Sequence, residues 1–386
     1  MRGSITVVAD DLTGACEIAG VGQRFGLNAI VTLEDQLPGT DAGLRVFDSE
    51  TRLAQPASAT TSLSAIGRSL GASATASIFK KTDSVLRGPL RAELEALASA
   101  LGLRRVLLIP GNPALRRVVR DGRYLIDGKP LHQTGFATDP HHPARSSDVR
   151  DLLGHGGNMP VSTARLGQPL PAEGIVVGDV SSDADLQAWA AAVPPDTLAS
   201  GSSAFFGAWF AARNTAQATR APDRLPEGPT LLVSGTTFGP QRQRLCRDVS
   251  VDRISLDRLS EIDDWGQRLL KRLEREPRAV ACVDGPVSPE SRAAANIGTA
   301  LAEVTSRVFQ AGAVRHIVVE GGATAASIAR RLGWLTFEGV HEWALGIVSL
   351  RPVAAREAFF TVKPGSYPWP DSILPLLFPS SRTASP

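Results

Sequence analysis

The chain has 386 residues, which at about 150 residues per domain predicts two domains. Hydrophobic residues at 43%, charged residues at 21%, and 36 Gly with 27 Pro are ordinary globular usage and exclude disordered, collagenous or fibrous chains. Forty-one Lys and Arg against 39 Asp and Glu leave a formal charge of +2, so no global field draws nucleic acid.

Short β-branched runs recur along the first half, each followed by turn residues and an Ala/Leu-rich stretch. They include Ile5–Ala9, Ala29–Leu33, Leu44–Asp48, Ser77–Lys81, Val106–Ile109 and Ile175–Val177. Leu90, Leu94, Leu97 and Leu101 recur at three- and four-residue spacing and predict a one-sided helix. Residues 126–173, rich in Pro and His, have weak periodicity and read as a loop-rich excursion. A polar segment with three prolines, Ala211–Pro229, marks a boundary near residue 225, giving domains 1–225 and 226–386. A second series of strands follows at Leu231–Ser234, Ala279–Val283, His316–Glu320 and Phe359–Val362, with a helical stripe over Ala323–Leu332. Apolar strands alternating with helices predict an α/β fold of two domains, each a mainly parallel sheet flanked by helices. The tail from Pro375 reads as frayed.

Three cysteines, Cys16, Cys246 and Cys282, lie far apart without a C-x-x-C pair, which points to a reducing compartment and away from structural zinc. Neither an apolar signal region nor an apolar run of about 18 residues occurs, so a cytoplasmic protein without membrane partners is expected.

Chemistry concentrates where strands end. Asp10-Asp11-Leu12-Thr13-Gly14 follows the first strand. Adjacent acids repel, so they need a cation, a ligand or a helix N-terminus; one of them capping the helix near Thr13 is the plain structural alternative. Lys80-Lys81-Thr82-Asp83-Ser84-Val85-Leu86-Arg87-Gly88 follows another strand and sets cations, an acid and hydroxyls within a few residues. Such a loop suits an anionic, hydroxylated small molecule, with a solvated turn of local ion pairs as its alternative. Glycine-rich loops end strands in the second half. Ser234-Gly235-Thr236, Gly321-Gly322-Ala323-Thr324 and the turn at Gly365 offer backbone N–H groups for phosphate, although tight turns alone also use glycine. A helix is expected to begin near Ala325. No P-loop occurs, and Gly20, Gly22 and Gly26 miss the dinucleotide spacing. His141-His142 reads as a surface turn, His132 as a loop brace with Arg123, Asp127 and Asp139 near it in sequence, and Trp343 and Trp369 as core or lid residues.

These motifs together resemble the four-carbon acid sugar kinases, which include D-threonate, D-erythronate and 3-oxo-tetronate kinases. The resemblance rests on Val7–Ala15, Lys80–Gly88, Ile109–Pro140, Leu231–Gln243, Val318–Ile328 and Val362–Ser366, in family order. It implies an N-terminal acid-sugar domain, a C-terminal ATP domain and transfer in the cleft between them, with Mg2+ carried by the nucleotide. The implied reaction phosphorylates a terminal hydroxyl of threonate, erythronate or an oxo-tetronate. Asp11 and Asp83 are the expected catalytic acids. Asp10, Asp11, Thr13, Lys81, Asp83, Ser84 and Arg87 are expected to bind substrate; Ser234, Gly235, Thr236, Gly321, Gly322, Ala323, Thr324 and Gly365 are expected to bind nucleotide. A homodimer is the commonest assembly for such enzymes. Three positions depart from the family pattern: Ala323 replaces an acid in G-G-E-T, Val85 replaces a hydroxyl in D-S-T, and Pro364 enters the last glycine segment. Two alternatives come from other classes. A haloacid-dehalogenase-like phosphatase would need an acid two residues after its nucleophile, where Leu12 and Thr13 stand. A non-catalytic sensor of acid sugar and nucleotide would account for Ala323 and Val85.

Overall fold

The computed structural model describes residues 4–34, 42–71, 77–139, 141–214, 228–235, 251–255, 261–284 and 291–373. The chain divides into two compact units, Met1–Ala218 and Thr219–Pro386. Thr236 and Cys246 lie outside the described residues, as does the segment from 374 onward.

The first unit opens with β1 (Ile5–Ala9), α1 (Leu12–Arg24), β2 (Ala29–Thr32), β3 (Leu44–Asp48), α2 (Pro56–Leu70), β4 (Ile78–Lys81), α3 (Leu90–Ala100) and β5 (Arg105–Ile109). A small antiparallel sheet follows, β6 (Arg117–Arg120), β7 (Arg123–Ile126) and β8 (Lys129–Pro130). Next come α4 (Val149–Leu153), β9 (Val161–Ala164), β10 (Gly174–Gly178), α5 (Asp183–Ala192), β11 (Thr197–Gly201) and α6 (Ser203–Ala211). The large strands pair in parallel in the order β2-β3-β1-β4-β11-β5-β10-β9. β1, β4, β5, β10 and β11 are buried along their whole length, which is why β1, β5 and β10 read as near-continuous apolar runs.

Helices cover the sheet in pairs. α2 lies against α3, while α6 lies against both α1 and α5. A Cβ at Gly67 would come within 2.6 Å of the Ala100 Cβ, so glycine sets how closely α2 and α3 approach. The expected stripe on α3 is buried at Leu90, Leu94 and Leu97, and Leu101 closes it. The excursion at 126–173 is better ordered than its composition suggests, since it contributes α4 and the edge strand β9. β11 was not expected, because T-L-A-S-G is short and mostly small residues; it is nonetheless central, between β4 and β5.

In the second unit β12 (Thr230–Ser234), β13 (Val251–Ser255), α7 (Ile262–Leu273), β14 (Arg278–Asp284), α8 (Ser291–Gln310), β15 (His316–Glu320) and α9 (Gly322–Arg331) precede β16 (Thr336–Ala344), β17 (Ile347–Pro352) and β18 (Phe359–Lys363). The strand order is β13-β14-β12-β15-β18-β17-β16, parallel from β13 to β18, with β17 and β16 added antiparallel. α7, α8 and α9 pack side by side. Leu232, Val280 and Val318 share a core cluster with Trp369 and Ile373, and Trp343 packs at its margin, so both tryptophans serve the core. α9 starts at Gly322, three residues before its expected start, with Gly321 as its cap at φ 107°.

Candidate active site

The order of the first sheet creates a crevice. The connection from β1 leads toward β2 on one side, and that from β4 leads toward β5 on the other. Open α/β sheets bind ligands where neighbouring connections diverge in this way, outside the carboxyl ends of the strands. Asp10 and Asp11 follow β1, and the Lys81–Arg87 loop follows β4.

Asp11 caps α1, its Oδ1 accepting from the Gly14 N–H at 2.7 Å and its Oδ2 from the Thr13 hydroxyl at 2.5 Å. The capping alternative is therefore correct as far as it goes, but it does not exhaust the residue. Arg52 donates to Asp10 Oδ2 at 2.8 Å and to Asp11 Oδ2 at 2.6 Å, and lies 3.7 Å from Asp83 Oδ1. One guanidinium thus ties together the acids of two loops. Sequence reasoning missed Arg52; its signal was its place just beyond a third strand end, that of β3.

Asp83 is held from several directions. Arg87 forks onto both of its oxygens at 2.9 and 3.0 Å, and the backbone N–H groups of Val85 and Arg87 donate to Oδ2. Leu86, buried and at φ 63°, turns the chain so that Arg87 returns to Asp83. Gly88 lets this loop lie against the next: a Cβ there would stand 3.0 Å from the Arg52 carbonyl oxygen, which also accepts from His142 Nε2 at 2.8 Å. His142 is thus a brace of the site, where a plain surface turn was expected. Asp139 joins Arg87 at 3.1 Å, whereas His132 bonds Ser147.

Electrostatics separates the adjacent acids. Burial raises the Asp10 carboxyl, but Arg52 and Lys80 outweigh it and hold the group below its usual range. Burial also raises Asp11; Arg52 opposes, Asp10 adds repulsion, and the net shift is upward. Asp11 is also the more accessible, its side chain 18% exposed against 2% for Asp10. Asp83 suffers burial too, yet Arg87 and Arg52 hold it well below the ordinary carboxylate value. A strongly acidic carboxyl is a poor proton acceptor.

Lys81 is 3% exposed and pairs with Glu17 at 3.3 Å, so it is less available as an anion clamp than its motif suggested. Ser84 receives Arg117 Nη1 on its hydroxyl at 2.5 Å and the Tyr124 hydroxyl on its carbonyl. Arg87 and Arg117 both lie over the Phe136 ring, at 5.5 and 5.6 Å.

The second unit gathers its expected residues at an equivalent edge. Register places Ser234 beside Glu320 and Glu320 beside Lys363 at the ends of β12, β15 and β18. The Ser234 hydroxyl and the Lys363 ammonium donate to the two oxygens of Glu320 at 2.8 and 2.6 Å, all three residues being buried. Burial draws the Lys363 ammonium below its usual value, against the pull of Glu320. Gly235 adjoins α9 so closely that a Cβ would meet the Thr324 hydroxyl at 2.0 Å. Gly321, Gly322, Ala323 and Thr324 form the cap and first turn of α9, and Gly365 lies just after β18. Among the described residues no group of three His, Cys, Asp or Glu side chains could hold a metal ion, and no helix is long and apolar enough to cross a membrane.

The sequence model of a family described as a sugar-binding N-terminal domain matches residues 5–209, more than half of the chain. D-threonate kinase of Bordetella bronchiseptica is 32% identical over 208 residues, which is 49% of this chain and 49% of that protein. The chain thus matches about half the length of the D-threonate kinases it resembles. 3-Oxo-tetronate kinase of Methylobacterium radiotolerans is 26% identical over 408 residues, covering 93% of this chain and 95% of that one. The crystal structure of a Salmonella typhimurium LT2 protein superimposes with a TM-score of 0.76 at 17% identity, over 95% of this chain and 97% of that chain, a likeness of fold.

Proposed function

The chain belongs to the four-carbon acid sugar kinase family, its residues 5–209 forming the sugar-binding N-terminal domain, and from that premise we propose that it transfers the γ-phosphoryl group of ATP to a terminal hydroxyl of threonate, erythronate or an oxo-tetronate. The observation that carries this reading is the Asp10–Asp11 pair at the crevice of the first sheet, joined through the Arg52 guanidinium to Asp83 of the neighbouring loop. The opposite directions in which the two carboxyls are pushed fit a division of acid–base roles.

In this reading Asp11 accepts the proton of the acceptor hydroxyl. That oxygen forms its bond to the γ-phosphorus while the bond from phosphorus to the β–γ bridging oxygen breaks, leaving ADP. Asp10 stays ionised and, with Asp83, holds Arg52 in place; Asp83 is a brace rather than a second base. Arg52, Arg87 and Arg117 supply positive charge near an anionic substrate. Such transfer asks mainly for positioning and charge stabilisation, which these fixed groups provide.

The second unit fits a nucleotide's phosphates. Gly235 brings the end of β12 against the Thr324 hydroxyl with no side chain of its own between them, and the first turn of α9 offers N–H groups at a helix N-terminus. Ser234, Gly235 and Gly321–Thr324 would hold the phosphates. A Mg2+ ion brought in with those phosphates would offset their charge. Family membership gives the phosphatase alternative no support. The sensor alternative differs in one outcome, binding without turnover.

ADP formation by the purified chain, screened over four-carbon sugar acids, tests the proposal. Turnover with at least one of them is expected. Folded protein that is inert with every such acid would overturn it.

A further inference from the structure

Among the described residues, Asp10 Oδ1, the Thr82 hydroxyl and both polar atoms of the Asn112 carboxamide are buried without a hydrogen-bond partner. A buried polar group left unpaired forfeits its hydration without recompense, so each calls for an explanation. Asn112 leaves the most unmet of the three residues, being 1% exposed with its donor and its acceptor both unpaired.

Their places coincide with the crevice. Asp10 and Thr82 follow β1 and β4, which are neighbours, and Asn112 follows β5, separated from β4 only by β11. Three strand spacings of about 4.8 Å make about 14 Å between the first position and the last, a span that two side chains and a four-carbon chain can cover. The backbone of Asn112 pairs with that of Arg117 in both directions, and the Arg117 guanidinium reaches the Ser84 hydroxyl. Asn112 is therefore tied through Arg117 to the loop that carries Asp83 and Arg87. Its neighbour Gly111 is closely walled, since a Cβ there would lie 2.5 Å from Val180 Cγ1, so the segment is held in place.

We propose that Asn112 is a specificity-determining residue of the sugar-acid site, its carboxamide and the Thr82 hydroxyl bonding an interior hydroxyl or oxo group of the substrate. The proposal rests on the kinase reading. A carboxamide both donates and accepts, as a sugar hydroxyl does, and it adds no charge to a site already crowded with carboxylates. A site built to bond a hydroxyl discriminates strongly against analogues that lack it, because its own buried groups are then left unpaired.

The test compares wild type with Asn112→Leu, a substitution of similar size without polar atoms. Expected are a melting temperature equal to or above wild type, kcat/KM for the preferred acid lowered about 10- to 100-fold, KM for ATP unchanged, and a reduced preference for that acid over its deoxy analogue. If the carboxamide meets only trapped water, the melting temperature rises while both KM values and the preference stay as they were, and the proposal falls. Should Asn112→Leu not fold, Asn112→Asp keeps the shape and adds a charge. Weaker sugar-acid binding with unchanged ATP affinity then supports the proposal, and unchanged sugar-acid affinity overturns it. Failure of the kinase reading is visible separately, in wild type. If wild type turns over no acid but binds threonate by calorimetry, the same variants decide the inference by affinity; if it binds none, both readings fall.

Discussion

Arg52 shows how a few residues set the character of the crevice. Its guanidinium meets Asp10 and Asp11, and Asp83 lies within ion-pair distance, yet the three carboxyls end in different states. Asp11 alone combines an upward shift with partial exposure, so Asp11→Asn should remove the base while leaving an acceptor oxygen for the Gly14 N–H. We expect kcat to fall about 100-fold or more with folding retained, as read by steady-state kinetics beside circular dichroism. The acid limb of wild-type kcat/KM should lie above the ordinary Asp value of 3.8, because the group must be ionised to accept a proton. Near-wild-type turnover by the variant would remove Asp11 from the reaction. Asp83 carries the opposite expectation. Asp83→Asn breaks a buried fork and leaves Arg87 and Arg52 short of a counter-charge, so stability should drop by about 3–5 kcal/mol. A melting temperature equal to wild type would show that the neighbouring acids compensate. The residue types at strand ends were legible in the sequence, whereas their ion pairing was not. That pairing depends on Arg52, which reaches Asp10 across 42 positions of chain, and on Leu86 at positive φ, and neither leaves a local pattern.

Elements were legible wherever burial made them continuous. Ile5–Ala9, Leu44–Asp48 and His316–Glu320 have the bounds their β-branched runs suggest, because both faces are covered. β11 and β16 escaped notice for different reasons. β11 is built of small residues that gain their place from neighbouring strands, and β16 is a half-buried strand with bulges at Gly339/His341 and Glu342/Ala344. β15 also carries a titratable feature. His316 is buried, Nε2 contacts the Thr361 hydroxyl at 2.7 Å, and Ser349 and Trp343 continue the chain of hydrogen bonds. Burial, aided by Arg278, lowers the imidazole from 6.5 to about 4. The unfolded chain therefore binds a proton between these values that the folded chain refuses. Stability from this group is complete above about pH 6.5 and is lost as pH falls toward 4, by on the order of 3 kcal/mol. Urea midpoints at pH 7 and pH 4.5 for wild type and His316→Gln check this. The variant should show the shallower pH dependence, and equal slopes would place the sensitivity elsewhere.

At the scale of the whole molecule, each unit presents the ends of its parallel strands as a polar edge, and the two edges differ in the ligand chemistry they suit. The first is dense in side-chain charge, with Asp10, Asp11, Arg52, Asp83 and Arg87 in direct contact. The second offers backbone: a glycine beside Ser234, a glycine cap at φ 107° and the first turn of α9, over the buried Ser234–Glu320–Lys363 set. Side-chain forks and hydroxyls read a small sugar acid, whereas aligned N–H groups accept phosphate whatever it is attached to. The two ligands should therefore leave separate footprints in hydrogen exchange. A bound sugar acid should protect amides at 10–14, 82–88, 111–112 and 114–118, and a non-hydrolysable ATP analogue those at 234–235, 321–326 and 365–366, because binding suppresses the local openings through which amides exchange. Gly235→Val sharpens the comparison. Its Cβ would require the Thr324 hydroxyl, 2.0 Å away, to move, and its further methyl groups would crowd the first turn of α9. The second footprint should then vanish while the first persists at unchanged sugar-acid concentration. A nucleotide footprint confined to the first set of amides, or one that survives Gly235→Val intact, would mean that the glycines of the second unit serve the chain's turns and bind no phosphate.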